Sequence, residues 1–249
     1  MELLRCEGLT KTFDGVQAVE AVTLEFATNK IQAIIGPNGA GKTTLINLFT
    51  GFLRTDAGRC FLGERDTTYL APSRVAQLGV ARTFQDLRLI LKVSVLENVM
   101  LARPTQRGES LFWALSRVGL AEEEARNREE AQRLLSFVGL EEKSNELAGQ
   151  LSYGQQKLLT IACCLATEAS ILLLDEPVAG VDTDTIAKIL RLLQKLRDDG
   201  KTIVFIEHDL SAVREAAEHL IVMDDGKLIA EGSPAEVLER REIMEAYLA

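Results

Sequence analysis

Eight consecutive residues, Gly36-Pro37-Asn38-Gly39-Ala40-Gly41-Lys42-Thr43, combine three glycines with an ammonium and a hydroxyl. Glycines let successive backbone N–H groups curl around an anion, Lys42 adds a mobile cation, and the Thr43 hydroxyl can hold Mg²⁺. The apolar run Ile31 to Ile35 before this stretch reads as a strand, and Thr44-Leu45-Ile46-Asn47-Leu48-Phe49 after it reads as a helix. That helix would aim its positive end at the same point. The chemistry expected is that of a triphosphate cradle.

Such a cradle needs an acid from a second strand. Ile171-Leu172-Leu173-Leu174 runs into Asp175-Glu176, and Pro177 stops the strand at once. Asp175 is expected to hold Mg²⁺ through water and Glu176 to take or orient the proton of the attacking water, a role worth roughly 10² to 10⁴ in rate. Phe13, just before the Asp14-Gly15 turn, is placed to stack on a purine, an interaction worth roughly 1 to 3 kcal/mol. Its alternative is packing against its own hairpin. Ser152-x-x-Gln155 is a capping box, and a capped helix start is also what an anion site uses.

The elements that must carry these residues divide the chain. Residues 2 to 9, 21 to 26 and 57 to 62 read as short, partly alternating strands separated by turn signals at Asp14-Gly15 and Asp56-Ala57-Gly58, an antiparallel or mixed arrangement. Helix formers then dominate from 88 to 150, in Leu96 to Ala102, Leu111 to Val118 and Ala121 to Phe137. Acids and arginines spaced three and four apart over Glu122 to Glu130 predict a solvated helix face, and Gly139 a helix stop. Ile31 to Ile35, Ile171 to Leu174 and Thr202 to Ile206 are too continuously apolar for half-exposed strands and suit parallel strands covered on both faces. Leu45 to Phe49, Leu158 to Ala166 and Ile186 to Leu196, ending at Gly200, supply the covering helices. The tail pairs His219 to Met223 with Lys227 to Ala230 around Asp224-Asp225-Gly226, and Pro234 to Leu248 reads as helix. The fold expected is α/β: a phosphate-loop core with a mostly parallel sheet and an antiparallel β subdomain (1–87 and 151–249), and a helical subdomain (88–150).

With 249 residues and 47% hydrophobic content the chain can bury a sizeable core. A formal charge of −9 argues against nucleic acid as a main partner, because phosphate backbones reward a basic face. Cys6, Cys60, Cys163 and Cys164 show no C-x-x-C spacing, which fits a reducing compartment and space-filling thiols. Met1-Glu2-Leu3-Leu4-Arg5 lacks a signal-peptide layout, and no apolar run nears the roughly 18 residues that cross a bilayer, so a membrane role is expected to come through a partner.

Leu151-Ser152-Tyr153-Gly154-Gln155-Gln156 resembles the signature of ABC ATPases. On that resemblance Gly36 to Thr43 is similar to Walker A, with Thr44 continuing it, Gln85 to the Q-loop, Ile171 to Asp175 to Walker B, Val181-Asp182 to the D-loop, and His208 to the switch histidine that contacts the γ-phosphate. Order and spacing agree along the whole chain. Ala81-Arg82-Thr83-Phe84-Gln85, Tyr153, Glu176-Pro177-Val178-Ala179-Gly180-Val181 and the ending Ala246-Tyr247-Leu248 look most like the ATPase subunits of branched-chain amino-acid importers, with urea, amide and lipid-related systems as neighbours. Tyr153 in place of the usual glycine, and Ala162-Cys163-Cys164-Leu165 where many members carry arginine, depart from the wider pattern.

The resemblance implies a head-to-tail dimer with two ATP, each held between Walker A of one subunit and Ser152, Tyr153, Gly154 and Gln155 of the other, near Asp182. It implies Mg²⁺ at Thr43, Asp175 and Gln85, and catalytic work by Glu176, His208 and Gln85. The partners implied are a second ATPase subunit, permease subunits that receive the surface around Asp86 to Val95 and, indirectly, a substrate-binding protein. The subunit would then sit peripherally on the cytoplasmic face of the cell membrane. A soluble ABC protein acting on DNA or ribosomes usually carries two ATPase domains or a coiled-coil insert, and a GTPase needs an Asn-Lys-x-Asp motif; the sequence has none of these.

Overall fold

A computed structural model describes residues 3–104, 120–240 and 243. In chain order the elements are β1 (Leu4–Phe13), β2 (Val16–Phe26), β3 (Ile31–Ile35), α1 (Lys42–Phe49), β4 (Ala57–Leu62), β5 (Arg65–Asp66), α2 (Pro72–Gln77), β6 (Val80–Arg82), α3 (Val95–Leu101) and α4 (Leu120–Val138). They continue with α5 (Tyr153–Ala166), β7 (Ile171–Asp175), α6 (Thr183–Asp198), β8 (Thr202–Ile206), α7 (Leu210–Ala216), β9 (His219–Asp224), β10 (Lys227–Gly232) and α8 (Pro234–Leu238). Two compact units result: one holds the described residues up to Arg82, Ser170–Ala179 and those from Thr183 on; the other holds Thr83–Ala169 and Gly180–Asp182.

The first unit contains two sheets. Six strands run in the order β10-β9-β3-β8-β7-β6, with β3 parallel to β8 and β9, β7 parallel to β6 and β8, and only β10 antiparallel. Every residue of β3, β7 and β8 is buried, which is why their sequences are continuous rather than alternating. Parallel order also puts the carboxyl ends of these three neighbours, and so residues 36, 175–176 and 207–208, at one edge of the sheet.

Four antiparallel strands in the order β2-β1-β4-β5 form the second sheet. The first two are longer than the expected 2 to 9 and 21 to 26. Asp14 and Gly15 both take positive φ, 47° and 87°, so a two-residue turn lets pairing run to Phe13 opposite Val16. Register shifts after Cys6 and Leu9, together with Ala21 at φ 49°, break the period of two along the way. The third strand, β4, covers the expected 57 to 62, so Ala57 and Gly58, also read as part of a turn signal, belong to the strand. Phe26 and Phe49 meet between this sheet and α1, with ring centroids 5.3 Å apart.

In the second unit, α3 starts in a capping box: Ser94 Oγ accepts from Glu97 N and Glu97 Oε2 from Ser94 N. Helix α4 buries Ala131, Leu135 and Val138 while most of Glu122 to Glu130 is exposed, the solvated face expected. It ends at Gly139, φ 68°, where Gly139 N donates to Ser136 O and Leu140 N to Leu135 O. Leu111 to Val118 lies outside the described residues.

Two boundaries differ from expectation. Helix α5 belongs to the helical unit, which runs from 83 to 169 rather than 88 to 150, because its apolar face (Leu158, Leu159, Ala162) packs with α3 and α4. The helix expected over Pro234 to Leu248 is interrupted after Leu238, where Arg240 N donates to Val237 O, three residues back, and the last turn tightens; Ile243 is helical again. Residues 241–242 and 244–249, including Ala246-Tyr247-Leu248, are outside the described residues.

Candidate functional site

Between β3 and α1 the glycine loop closes on its own backbone. Gly36 has φ 154° and Gly41 φ 93°, and a Cβ at either would strike a carbonyl oxygen, that of Met223 or Ala18. Only glycine fits at these two positions. Gly39 also takes φ 87°, and Asn38 and Gly39 are exposed at the rim. Thr43 is exposed and Thr44 half-buried in the first turn of α1, which carries no acid to oppose an anion. Lys42 folds back into the loop and donates to Gly36 O at 2.7 Å and Pro37 O at 2.9 Å. Burial lowers its pKa, a shift opposed by the charges of Glu176 and Asp175.

The carboxyl end of β7 splits its two acids. The Asp175 side chain is 3% exposed and faces Arg82, whose Nη2 lies 3.3 Å from Asp175 Oδ2. Glu176 adopts φ 50°, a conformation that costs a non-glycine residue about 1 kcal/mol or more. Its N–H is held by Ile206 O at 3.0 Å, and its Oε1 lies 3.1 Å from His208 Nε2. Sequence reasoning assigned no role to Glu207, 2% exposed, whose carboxylate accepts from Val178 N at 2.7 Å and from His208 N at 3.3 Å. One buried acid therefore ties the turn after Glu176 to the segment bearing His208.

Arg82 also lacked a role in the sequence. Its Nη1 donates to Asn47 Oδ1 and, at 3.4 Å, to Thr50 Oγ1 at the end of α1, and its guanidinium lies 5.6 Å from the Phe52 ring centre. The available signal was an arginine ending a strand three residues before Gln85; nothing local says which acid it meets.

The first unit thus brings Lys42, Asp175, Glu176 and His208 into one electrostatic neighbourhood. Phe13 ends β1 in the same unit, 42% exposed, with Lys11 Nζ 5.4 Å from its ring centre. The remaining sequence-derived residues are in the second unit. Gln85 is exposed in a bend, and Asp182 is exposed immediately before α6. Ser152 caps α5: Gln155 N donates to its Oγ at 3.3 Å and Ser152 N to Gln155 Oε1 at 3.0 Å. Gly154 is buried, while Tyr153 is 47% exposed. A Cβ at Gly180 would be 3.2 Å from Tyr153 Cε1, so the glycine leaves room for the ring, a physical reason for tyrosine at this position.

The donor set suits a hard divalent cation: a carboxylate at Asp175 and a hydroxyl at Thr43. Among the described residues no group of three or more His, Cys, Asp or Glu could hold a metal on its own. An ion here would complete its shell with phosphate oxygens and water, as Mg²⁺ does.

A family model described as ABC transporter matches residues 19–179. The chain is 38% identical over 248 residues, 100% of this chain and 96% of the other, to a probable branched-chain amino acid transport ATP-binding protein LivG of Archaeoglobus fulgidus. It is 38% identical over 250 residues, 99% and 97% of the two chains, to the high-affinity branched-chain amino acid transport ATP-binding protein LivG of Salmonella typhimurium. Among solved structures, a nucleotide-free ATP-binding cassette from an ABC transporter superposes with TM-score 0.87 at 35% identity, covering 100% of both chains. A dimeric post-hydrolysis cassette bound to ADP and Pi superposes with TM-score 0.78 at 28% identity, covering 93% of this chain and 98% of that one.

Proposed function

The chain belongs to the ABC transporter family of ATP-binding cassettes, and from that premise we propose that it is the ATP-hydrolysing subunit of an importer for branched-chain or other hydrophobic amino acids. Backbone N–H groups within the loop Gly36 to Thr44 and the Lys42 ammonium bind the phosphates, and Phe13 carries the adenine. Thr43 and Asp175 would hold Mg²⁺, to which the family resemblance adds Gln85, and the ion when bound would supply positive charge against the phosphates. Glu176 accepts the proton of the attacking water. His208 keeps the Glu176 carboxylate in place through Nε2 and contacts the γ-phosphate, leaving Glu176 oriented before substrate arrives.

The observation that carries this reading is the 3.1 Å contact between Glu176 and His208, in the unit that holds the phosphate loop. Ser152, Tyr153, Gly154 and Gln155, with Asp182, complete the site of a second ATPase subunit in a head-to-tail dimer, and the dimeric ADP-bound relative supports that arrangement. Among the described residues no helix is long and apolar enough to cross a membrane. Permease subunits therefore supply the membrane contact, on its cytoplasmic face, and a substrate-binding protein delivers cargo to them. ATP hydrolysis by the purified chain, alone and with its permease subunits in vesicles loaded to report leucine uptake, tests the proposal. Hydrolysis without stimulation by any permease would remove the transport role.

A further inference from the structure

The most enclosed ion pair of the first unit joins Arg82 to Asp175, with side chains 5% and 3% exposed. Arg82 stands opposite Leu173 in the β6–β7 register, and Asp175 is two residues further along β7, so both side chains project to the face covered by α1. The guanidinium reaches Asp175 with one nitrogen and Asn47 and Thr50 with another. Its planar fork is thereby fixed at both ends rather than free to follow the carboxylate. Arg82 is also the last residue of its unit before the chain crosses toward Gln85.

We propose that Arg82 is a positioning residue that stands in for the divalent cation: it compensates and aims the Asp175 carboxylate before Mg²⁺ arrives, and it opposes the metal's arrival. The inference rests on the reading of Asp175 as a metal ligand. A buried carboxylate is costly without nearby positive charge; Lys42 feels the charge of Asp175, and Arg82 is the cation within hydrogen-bond reach of it. The metal brings a second positive charge to the same carboxylate. One carboxylate serving two cations binds each less tightly than it would bind either alone, and by linkage the loss of one strengthens the other by the same factor. Metal occupancy would then loosen the bond that anchors the segment leading to Gln85.

Mn²⁺ titration followed by electron paramagnetic resonance, at fixed saturating ADP, reads this coupling directly. Arg82→Gln removes the competing charge, and Arg82→Met does so while keeping the apolar stem packed. Both should lower the Mn²⁺ concentration at half-saturation by about fivefold or more, the lower range of typical site-to-site couplings. Arg82→Lys keeps the charge and should stay near the parent. ADP affinity measured in EDTA should be unchanged in all three. Unchanged or weakened Mn²⁺ binding in whichever of the Gln and Met variants is folded overturns the proposal and leaves Arg82 a brace of the fold. Asp175→Asn is the control: if it leaves Mn²⁺ half-saturation where it was, the metal-ligand reading has failed, not the competition.

Discussion

The Glu176 carboxylate meets the His208 imidazole at 3.1 Å, and Glu176 adopts a left-handed backbone, φ 50°, at the step where β7 ends. The two acids take different partners, Asp175 with Arg82 and Glu176 with His208, while the charges of both act on Lys42.

Glu176→Gln keeps the shape and removes the base. With Lys42, Thr43 and the loop backbone holding the nucleotide as proposed, ATP affinity should survive while turnover falls by roughly 10² to 10⁴. The variant should run as a dimer on a sizing column with ATP and as a monomer without it, alone or with its second ATPase subunit, and adding Ser152→Arg should abolish the dimer. Retained turnover would take Glu176 out of its role.

Glu207→Leu should act on catalysis at a distance. It strips the Val178 and His208 N–H groups of their buried acceptor, at a cost of about 1–3 kcal/mol for each unsatisfied group. Urea denaturation should show that loss, and single-turnover hydrolysis should slow more than ATP binding weakens. Glu207→Gln, which keeps one acceptor oxygen, should recover most of the rate.

Phe13→Ala should weaken ATP binding by about 1 to 3 kcal/mol and leave inorganic triphosphate binding nearly unchanged. Equal loss for both ligands would mean that the ring serves the β1–β2 hairpin instead.

Within the segment Asp86 to Val95, Ile90 and Leu91 are 50% and 51% exposed, and Leu147, in the same unit, is 45% exposed. Replacing Ile90 and Leu91 with serine should lower transport by the assembled complex while the isolated subunit keeps its ATPase rate. Loss of hydrolysis in isolation would place this segment in the active site.

Burial pushes the Cys60 and Cys163 thiols up to about 12 and Cys6 higher still. The unfolded chain releases these protons near the ordinary value of 9.0, so above that pH it binds fewer protons than the folded chain, and stability falls as pH rises from about 9 toward 12. Lys42, with its pKa lowered, works in the opposite sense but is one group against three. Denaturation midpoints at pH 8 and 10 measure the net slope, and replacing the three cysteines with alanine should flatten it.

The sequence by itself determined whatever depends on residues close together along the chain. The glycine loop between Ile35 and Thr43, the Ser152–Gln155 capping box, the Gly139 stop and the solvated face of Glu122 to Glu130 are local, because backbone torsions, i to i+3 contacts and period follow from neighbouring residue types. The buried strands were legible for the same reason. What only the tertiary structure decided are the partners of charged groups on separate strands. Arg82 and Asp175 are 93 positions apart, and Glu207 and Val178 are 29 apart. Their pairing depends on strand order, β6 beside β7 beside β8, and on which side chains that order removes from water. A carboxylate's fate, metal ligand, base or internal brace, is set by that enclosure, which no local spacing encodes.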